Sequence, residues 1–428
     1  MATANPAPSS PKRLGPRPLG LHLATAITTW LSSANALPLW RPSSPGSKPM
    51  PEAINWHPSL RERGAQLLKN LEAADPEALR VAVGREVRHR LDELERGIHL
   101  YRRHPYRRAA STAPVVWTEG TTRLLDYNPG SGGVPLLVIP SLINRAYILD
   151  LWPERSFVRA LAQAGYRPFL VDWDRPGAAE RRFGLSEYIG SRLGAALRAV
   201  TATTGKPPVV VGYCMGGLLA AALACLQPRD VAGLMLLATP WDFHAEKPTL
   251  ARALAGSVAP WMPFFDALGI MPLDVIQGLF SALDPFMVVR KFCAFARLDP
   301  DSERAQEFVA LEDWLNDGVP LASGVARDCL IGWYGENAPG RGVWQVAGRT
   351  IMPADIKVPT LVVVPEQDRI VPPLSARALE QALPHATVLN PTLGHIGMVS
   401  SRRAPQELWP QITGWLAGQL ALQEAAGL

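Results

Sequence analysis

Cysteine is scarce in this chain of 428 residues, which holds four of them and no CxxC pair. Such scattered thiols exclude a disulfide framework and the paired spacing of a zinc finger. For a chain of this length they indicate reduced thiols and a cytoplasmic protein. We expect no metal site and no cofactor. The four thiols are Cys214, Cys225, Cys293 and Cys329.

Charge is modest overall and unevenly placed. Charged residues make up 19% of the chain and hydrophobic residues 47%, which excludes a disordered protein. Residues 1–110 carry 17 lysines and arginines against 9 acidic residues, a net of +8 within a total of +5, so the remainder is close to −3. No zinc-finger spacing and no basic-aromatic recognition element accompanies this basic region, so we expect no nucleic-acid partner.

Long hydrophobic runs are also missing. The most apolar stretch near the start, 19–37, contains too many hydroxyl and amide side chains for a membrane span. Basic residues precede it and Ala-Asn-Ala at 34–36 lies near its end, a pattern that a signal peptidase could accept. Because its hydrophobic part is poor, we interpret it instead as an amphipathic or surface-binding segment of a cytoplasmic protein.

Composition and periodicity divide the chain into three regions. Residues 1–55 are rich in Pro, Ser and Ala and predict a flexible arm with one short helix at about 20–36. Residues 56–110 have helical spacing of leucines, with Asp75 as a helix N-cap and Pro76 at the first helical position. Their charged faces fit a solvated surface, and a partner-binding or granule-binding role stays open.

Residues 111–428 predict one α/β domain. An antiparallel strand pair that turns at Glu119-Gly120 is followed by apolar strands that alternate with helices. This alternation indicates a mostly parallel, doubly wound sheet that helices cover on both faces. Long helical stretches with many aromatics interrupt the rhythm at about 241–345, and we interpret them as a helical cap.

One stretch has the pattern of a nucleophile elbow. Three valines at 209–211 lead into Gly212-Tyr213-Cys214-Met215-Gly216, and an apolar helical run follows. A strand, a sharp turn and a helix place the tip residue, here Cys214, as an exposed nucleophile in α/β hydrolases. We expect glycines on both sides because a Cβ atom there would collide with neighbouring backbone.

The chain also holds a candidate base and acid in the order that this fold uses. Asp368 follows the predicted strand at 358–365, and His395 follows the last predicted strand at 386–389. A thiol nucleophile needs a base to take its proton, and the base needs a third group to hold its tautomer. We therefore predict a triad of Cys214, His395 and Asp368, with Glu366 as second choice for the acid.

Further site residues follow from the same pattern. The N–H of Met215 and that of Leu142 or Ile143, after the strand at 135–140, are the expected oxyanion donors. His244 follows another strand and could contact substrate. We expect the remaining three thiols to be small core residues without a chemical role. We expect four histidines to be surface groups: His57, His89, His99 and His104.

At several separated blocks the sequence resembles the polyhydroxyalkanoate synthases. GYCMGG at 212–217 is similar to that family's cysteine form of the lipase box, and SLINRAYILDL at 141–151 to the segment after its oxyanion strand. Four further blocks resemble segments of the same family: FLVDW at 169–173, WYGEN at 333–337, DRIVPP at 368–373 and GHIG at 394–397. The resemblance implies an α/β-hydrolase fold with Cys214 acylated, His395 as base and Asp368 as its partner.

The resemblance also implies a function. The expected substrate is an (R)-3-hydroxyacyl-CoA, which is polymerised through a thioester on cysteine into a polyester while CoA is released. Implied partners are the polyester granule surface and either a second copy of the chain or a helper subunit. Two alternatives stay open: a thioesterase, esterase or intracellular depolymerase with the same triad, and a non-catalytic granule-associated protein.

Overall fold

Helices and strands alternate through most of the chain. The computed structural model of the protein describes residues 13–36, 60–383 and 385–425. The strands are β1 Val115–Glu119, β2 Thr122–Asp126, β3 Pro135–Ile139, β4 Arg167–Asp172, β5 Val209–Tyr213, β6 Gly233–Leu237, β7 Ile270–Met271, β8 Leu321–Ala322, β9 Gln345–Val346, β10 Arg349–Thr350, β11 Thr360–Val363 and β12 Thr387–Leu389. The α-helices are α1 Leu19–Ala36, α2 Arg61–Ala73, α3 Pro76–Arg103, α4 Phe157–Gln163, α5 Gly194–Thr204, α6 Met215–Leu226, α7 Pro248–Val258, α8 Met262–Leu268, α9 Leu273–Leu283, α10 Met287–Phe295, α11 Glu303–Asn316, α12 Ser323–Arg327, α13 Pro373–Ala382, α14 Gly397–Ser400, α15 Ala404–Glu407 and α16 Trp409–Ala425. Two π-helices cover Glu187–Leu193 and Asp328–Gly335, and the 3₁₀ helices are Ala146–Asp150, Pro153–Arg155, Glu180–Arg182, Ala259–Trp261 and Pro353–Asp355.

The chain forms two units. One consists of Met1–Arg107 with Gln277–Asn316, and the other of Arg108–Ile276 with Asp317–Leu428. The segment Gln277–Asn316 lies inside the cap that the sequence predicts at about 241–345. The predicted bounds of arm, helical region and catalytic domain stay a prediction, and most of the arm lies outside the described residues.

The first unit is helical around an aromatic and aliphatic core. Its central members include Leu94, Tyr101, Phe292 and Phe295, all nearly fully buried. The rings of Tyr101 and Phe292 meet edge to face with centroids 5.7 Å apart. This core is built from α1, α3, α10 and α11, so the N-terminal helix α1 forms where the sequence predicts a short helix and contributes the buried Ala26.

Helix α3 begins as predicted. Asp75 is its N-cap, and the carboxylate accepts the N–H of Ala78 at 2.7 Å, with Pro76 at the first position. Near its other end, Gly97 lets the backbone of α10 approach closely, since a Cβ there would lie 2.2 Å from the carbonyl oxygen of Phe292. A glycine is therefore required at this crossing.

One histidine is placed differently from the prediction. His104 is only 5% exposed, because its Nε2 lies 3.0 Å from the carbonyl oxygen of Pro300 and its Nδ1 accepts the N–H of Tyr106. The surface assignment was therefore wrong for His104. His57 lies outside the described residues.

The second unit is built on an eight-stranded sheet, in the order β1-β2-β4-β3-β5-β6-β11-β12. From β4 to β12 all neighbours are parallel, and β1 and β2 add an antiparallel edge. Every residue of β3, β5, β6 and β11 is buried, as expected of strands that helices cover on both faces. The mostly parallel, doubly wound fold is thus confirmed, and so is the antiparallel pair at its edge.

Parallel strands bring the predicted site residues to one edge. The carboxyl ends of β3, β5, β6, β11 and β12 lie at the same side of the sheet, where ligands bind in open α/β folds. Within the described ranges every helix is too short or too polar to cross a bilayer.

The Gly97 contact yields a test of the first unit. Gly97→Ala should lower the free energy of unfolding by about 1–3 kcal/mol or more, because the added methyl overlaps the backbone of Phe292. Gly84→Ala in the same helix is the matched control, since the nearest atom to its Cβ is a flexible Arg88 nitrogen at 3.9 Å. The control should keep or gain stability, by up to about 1 kcal/mol. Equal denaturation midpoints for the two variants would contradict the close packing.

Candidate active site

Cys214 lies at a sharp turn between β5 and α6. Its backbone has φ 56° and ψ −126°, a strained conformation for a residue with a side chain, as in a nucleophile elbow. Its N–H donates to the carbonyl oxygen of Leu237 at 2.8 Å, and Gly217 donates to its carbonyl oxygen at 2.9 Å. These two bonds hold the turn, and the thiol is half-buried.

The glycines around Cys214 have the steric role that the sequence predicts. A Cβ on Gly212 would lie 2.4 Å from the Cα of Gly217, and one on Gly216 would lie 2.1 Å from the carbonyl oxygen of Ile139. Real Cβ atoms do not approach other atoms so closely. The elbow therefore lies against β3 and its own helix at distances that only glycine allows.

Asp368 and His395 meet at the end of the sheet. The His395 Nδ1–H donates to Asp368 Oδ2 at 2.7 Å, and both side chains are almost fully buried. The other carboxylate oxygen accepts the N–H groups of Ile370 and Val371, each at 2.8 Å. Three hydrogen bonds thus hold Asp368, and the bond to Nδ1 leaves Nε2 for a second partner.

Cys214 is the candidate second partner, since its charge acts on the imidazole of His395. Burial alone lowers the pKa of His395, but the charge of a Cys214 thiolate and the hydrogen bonds to Asp368 and Cys214 outweigh it. Together they raise the pKa to about 10. The imidazole therefore keeps its proton at neutral pH when Cys214 is ionised.

Tyr213 packs against His395 and is hydrogen-bonded to it, a role that the sequence did not suggest. Its ring lies against the imidazole with centroids 5.2 Å apart, and its hydroxyl donates to the His395 carbonyl oxygen at 3.1 Å. Burial first, and then the nearby charges of Cys214 and Asp368, raise the pKa of this phenol. It therefore stays a neutral donor. Its position next to the nucleophile was the only signal in the sequence.

The two candidate amides of the loop after β3 differ in their bonding. The Ile143 N–H donates to Ser141 Oγ at 3.2 Å, so it already has a partner. The same hydroxyl lies 3.8 Å from Met215 Sδ, which brings this loop to the first turn of α6. Leu142 is therefore the better candidate to act with Met215, and both roles stay predictions.

His244 is hydrogen-bonded to two neighbouring residues of the protein. Its Nε2 lies 2.8 Å from the Tyr334 carbonyl oxygen, and its backbone N–H donates to Asp242 Oδ1 at 2.8 Å. Burial first, and then the charges of Cys214 and Cys329, raise the pKa of the Tyr334 phenol. Contact of His244 with substrate stays a prediction.

Hydrogen bonds of one asparagine, which the sequence did not reveal, hold the segment after β6. We call this arrangement the Asn337 clamp. Asn337, which is buried and has φ 54°, donates from Nδ2 to Asp242 Oδ1 at 2.8 Å and accepts the Phe243 N–H at 2.9 Å. It joins the segment after β6 to the turn after the second π-helix. The WYGEN block contained Asn337, but nothing local paired it with a residue 95 positions away.

The other three thiols differ from Cys214 in their surroundings. Burial raises the pKa of Cys225 to about 11 and raises that of Cys329 well above the ordinary value. It also raises the pKa of the partly buried Cys293. A thiol with a raised pKa holds little thiolate at neutral pH, in agreement with a packing role for these three.

In the part of the chain that the structure describes, no three His, Cys, Asp or Glu side chains cluster as metal ligands would. That the protein uses no metal and no cofactor stays a prediction.

The chain is similar to known proteins at two levels. Residues 134–269 match the family model described as alpha/beta hydrolase fold. Three relatives are each named poly(3-hydroxyalkanoate) polymerase subunit PhaC. The protein from Haloferax mediterranei is 29% identical over 71% of this chain and 63% of its own length. The Haloarcula marismortui protein is 28% identical over 70% and 66%, and the Allochromatium vinosum protein 29% over 72% and 88%. The chain thus spans just under two thirds of the length of the first two of these relatives.

The charge coupling at His395 can be tested directly. Cys214→Ala removes both the thiolate charge and its hydrogen bond, so the pKa of His395 should fall from about 10 toward lower pH. NMR titration of a protein with labelled histidines measures the midpoint. Cys225→Ala, which removes a thiol with a different neighbourhood, should leave it unchanged. An identical midpoint in Cys214→Ala and the unaltered protein would contradict the coupling.

Proposed function

This chain is related to the polyhydroxyalkanoate synthases, and we propose that it is an acyltransferase that polymerises (R)-3-hydroxyacyl groups from CoA thioesters. The observation that carries the proposal is a cysteine, rather than a serine, at the elbow beside a His395–Asp368 pair bonded at 2.7 Å. The names of the three relatives support the same activity.

The first step transfers the acyl group to the enzyme. Sγ of Cys214 attacks the carbonyl carbon of the acyl-CoA, and the thiol proton passes to His395 Nε2. The carbonyl oxygen becomes an oxyanion that the N–H groups of Met215 and Leu142 stabilise. When the tetrahedral intermediate collapses, the bond to the CoA sulfur breaks and CoA takes the proton from His395. A hydroxyacyl thioester on Cys214 remains.

The second step forms the ester bond. The 3-hydroxyl oxygen of another hydroxyacyl-CoA attacks the thioester carbonyl, while His395 takes the hydroxyl proton and returns it to Cys214 Sγ. The chain is now one unit longer and is bound to CoA, and it re-acylates Cys214 with release of that CoA. A sulfur nucleophile suits this cycle because a thioester stays activated toward the next hydroxyl, whereas a serine ester is a weaker acyl donor.

Water must be kept from the thioester for transfer to exceed hydrolysis. An aromatic cluster beside the site supports this requirement. Phe243 stacks on Trp333 with centroids 5.7 Å apart and meets Tyr334 at 4.9 Å, and Trp344 packs on Trp333 at 5.4 Å. Tyr334 is the member of the cluster whose phenol is influenced by the charge of Cys214.

The proposal extends to location and partners: a cytoplasmic enzyme at the surface of its polyester granule, with a second copy or a helper subunit. Helix α1 supports contact with an uncharged surface, because none of its 18 residues is charged. Leu21, Ile27 and Leu31 on this helix are 41–48% exposed. Such a face favours an apolar phase over an ionic partner.

Substitution of the nucleophile tests the proposal. Cys214→Ala should abolish CoA release from (R)-3-hydroxybutyryl-CoA, by at least about three orders of magnitude as for other nucleophiles. Cys214→Ser should keep weak activity at most, because an unactivated hydroxyl is the poorer nucleophile. Cys329→Ala is the matched control and should retain activity, since its buried thiol has a raised pKa. Full activity in Cys214→Ala would refute the mechanism.

The fate of the acyl group separates synthesis from hydrolysis. With the unaltered protein, each CoA released should correspond to one monomer unit found in polymer, as measured by methanolysis of the washed product. Release of CoA with only free 3-hydroxybutyrate would identify a thioesterase instead. No release at all, with the protein folded, would leave the non-catalytic granule-associated alternative.

A further inference from the structure

The hydroxyl of Tyr213 joins the strand of the candidate nucleophile to the main chain of the candidate base. Tyr213 is the last residue of β5, directly before Cys214, and its side chain is buried. Its hydroxyl donates to the carbonyl oxygen of His395 at 3.1 Å, although the two residues lie 182 positions apart in the sequence. This bond therefore links two segments that the sequence keeps far apart.

The sheet holds one end of this link. Tyr213 is paired with Leu237 of β6, and the preceding Gly212 is paired with Ile139 of β3 on the other side of β5. The N–H of the next residue, Cys214, donates to the Leu237 carbonyl oxygen at 2.8 Å. Central strands are among the last parts of a protein to open. The phenol therefore starts from a fixed position beside Cys214.

The other end of the link lies in a loop outside the sheet. His395 follows β12, and two backbone hydrogen bonds fasten its loop to the loop of the acid. The Glu366 N–H donates to the Pro391 carbonyl oxygen at 3.0 Å, and the Gln367 N–H donates to the Leu393 carbonyl oxygen at 3.1 Å. These bonds hold the base relative to the acid, whereas the bond from the phenol holds it relative to the nucleophile strand.

The phenol ring also limits the movement of the imidazole. The two rings lie with centroids 5.2 Å apart and planes inclined by 37°. The charged groups near the phenol are Cys214 and Asp368, and both act with burial to raise its pKa. The phenol therefore stays protonated and keeps its bond to the His395 carbonyl oxygen. One side chain thus contacts both the main chain and the ring of the base.

We propose that Tyr213 is a positioning residue of the acyl transfer, and that its hydroxyl holds the main chain of His395 so that the imidazole stays within reach of Cys214. The inference rests on the proposed function. Because the side chain is only 3% exposed, its role is to hold the base and not to bind substrate. The phenol keeps its proton throughout the reaction, so the atoms that react are the same with and without it.

Tyr213→Phe removes the hydroxyl and keeps the ring. The kcat for CoA release from (R)-3-hydroxybutyryl-CoA should fall about tenfold or more, since a misplacement of about 1 Å can cost about a hundredfold in rate. KM should change little, because the buried phenol offers no surface to substrate. Tyr166→Phe is the matched control: its hydroxyl donates to the Thr413 carbonyl oxygen at 3.3 Å, between β4 and α16, and its loss should leave kcat unchanged.

The titration of His395 gives a second readout, which a merely structural role would not move. The phenol is neutral and adds no charge at the imidazole, so a changed His395 pKa reports a moved ring. In Tyr213→Phe the imidazole should lie farther from the charge of Cys214, and its pKa should fall below the value of about 10. NMR titration of a protein with labelled histidines measures the midpoint. Tyr166→Phe should keep the midpoint of the unaltered protein.

A second variant weakens the same bond from its other end. Replacement of Ile396 by its α-hydroxy acid turns the amide after His395 into an ester, whose carbonyl oxygen is a weaker acceptor, and leaves every side chain in place. This protein should show the same fall in kcat and in the His395 midpoint, to a smaller extent. If Tyr213→Phe does not fold, the ester protein decides.

The outcomes separate the two proposals. A lowered kcat and a lowered His395 midpoint in Tyr213→Phe, with both unchanged in Tyr166→Phe, support the positioning role. An unchanged kcat or an unchanged midpoint in folded Tyr213→Phe overturns it, and so does an equal loss in Tyr166→Phe. No CoA release by the unaltered protein would reject the proposed function, and the midpoint would then still show whether the hydroxyl holds the base.

Discussion

The candidate active site depends on a contact that only glycine permits. Gly216 brings the first turn of α6 against the end of β3, where a Cβ would lie 2.1 Å from the Ile139 carbonyl oxygen. Next to this contact Cys214 has its strained backbone conformation, and the loop after β3 lies beside Met215. The candidate nucleophile and the two segments that carry the candidate oxyanion amides therefore meet at this contact, and the hydrogen bonds of Cys214 with Leu237 and Gly217 hold the turn.

The remaining parts of the site are held by long-range contacts of different kinds. Asp368 is fixed by two backbone N–H groups and holds the imidazole of His395, while Tyr213 packs against the other side of that ring. A raised His395 pKa follows from this arrangement, because Asp368 and an ionised Cys214 both favour the imidazolium. The proposed acyl transfer uses the same feature, since the base must hold a proton until CoA leaves.

Features that depend on local sequence were predictable. The valines before Cys214 and the glycines around it specify strand, turn and helix within a dozen residues, and Asp75-Pro76 specifies a helix start. The meeting of the predicted triad residues at one edge follows from parallel strands whose carboxyl ends lie on the same side of the sheet. The sequence could not show the Asn337 clamp or the burial of His104, because their partners lie 95 and 196 positions away. Nor could it choose between the Leu142 and Ile143 amides, since that depends on where one serine hydroxyl points.

The central claim is that Cys214 carries the acyl chain. Mass spectrometry of the intact protein after brief exposure to (R)-3-hydroxybutyryl-CoA, followed by peptide mapping, tests it most directly. The account predicts a hydroxybutyryl adduct on Cys214 that hydroxylamine removes, and no adduct in Cys214→Ala. An adduct on another residue, or CoA release and polymer formation without any adduct on Cys214, would contradict it.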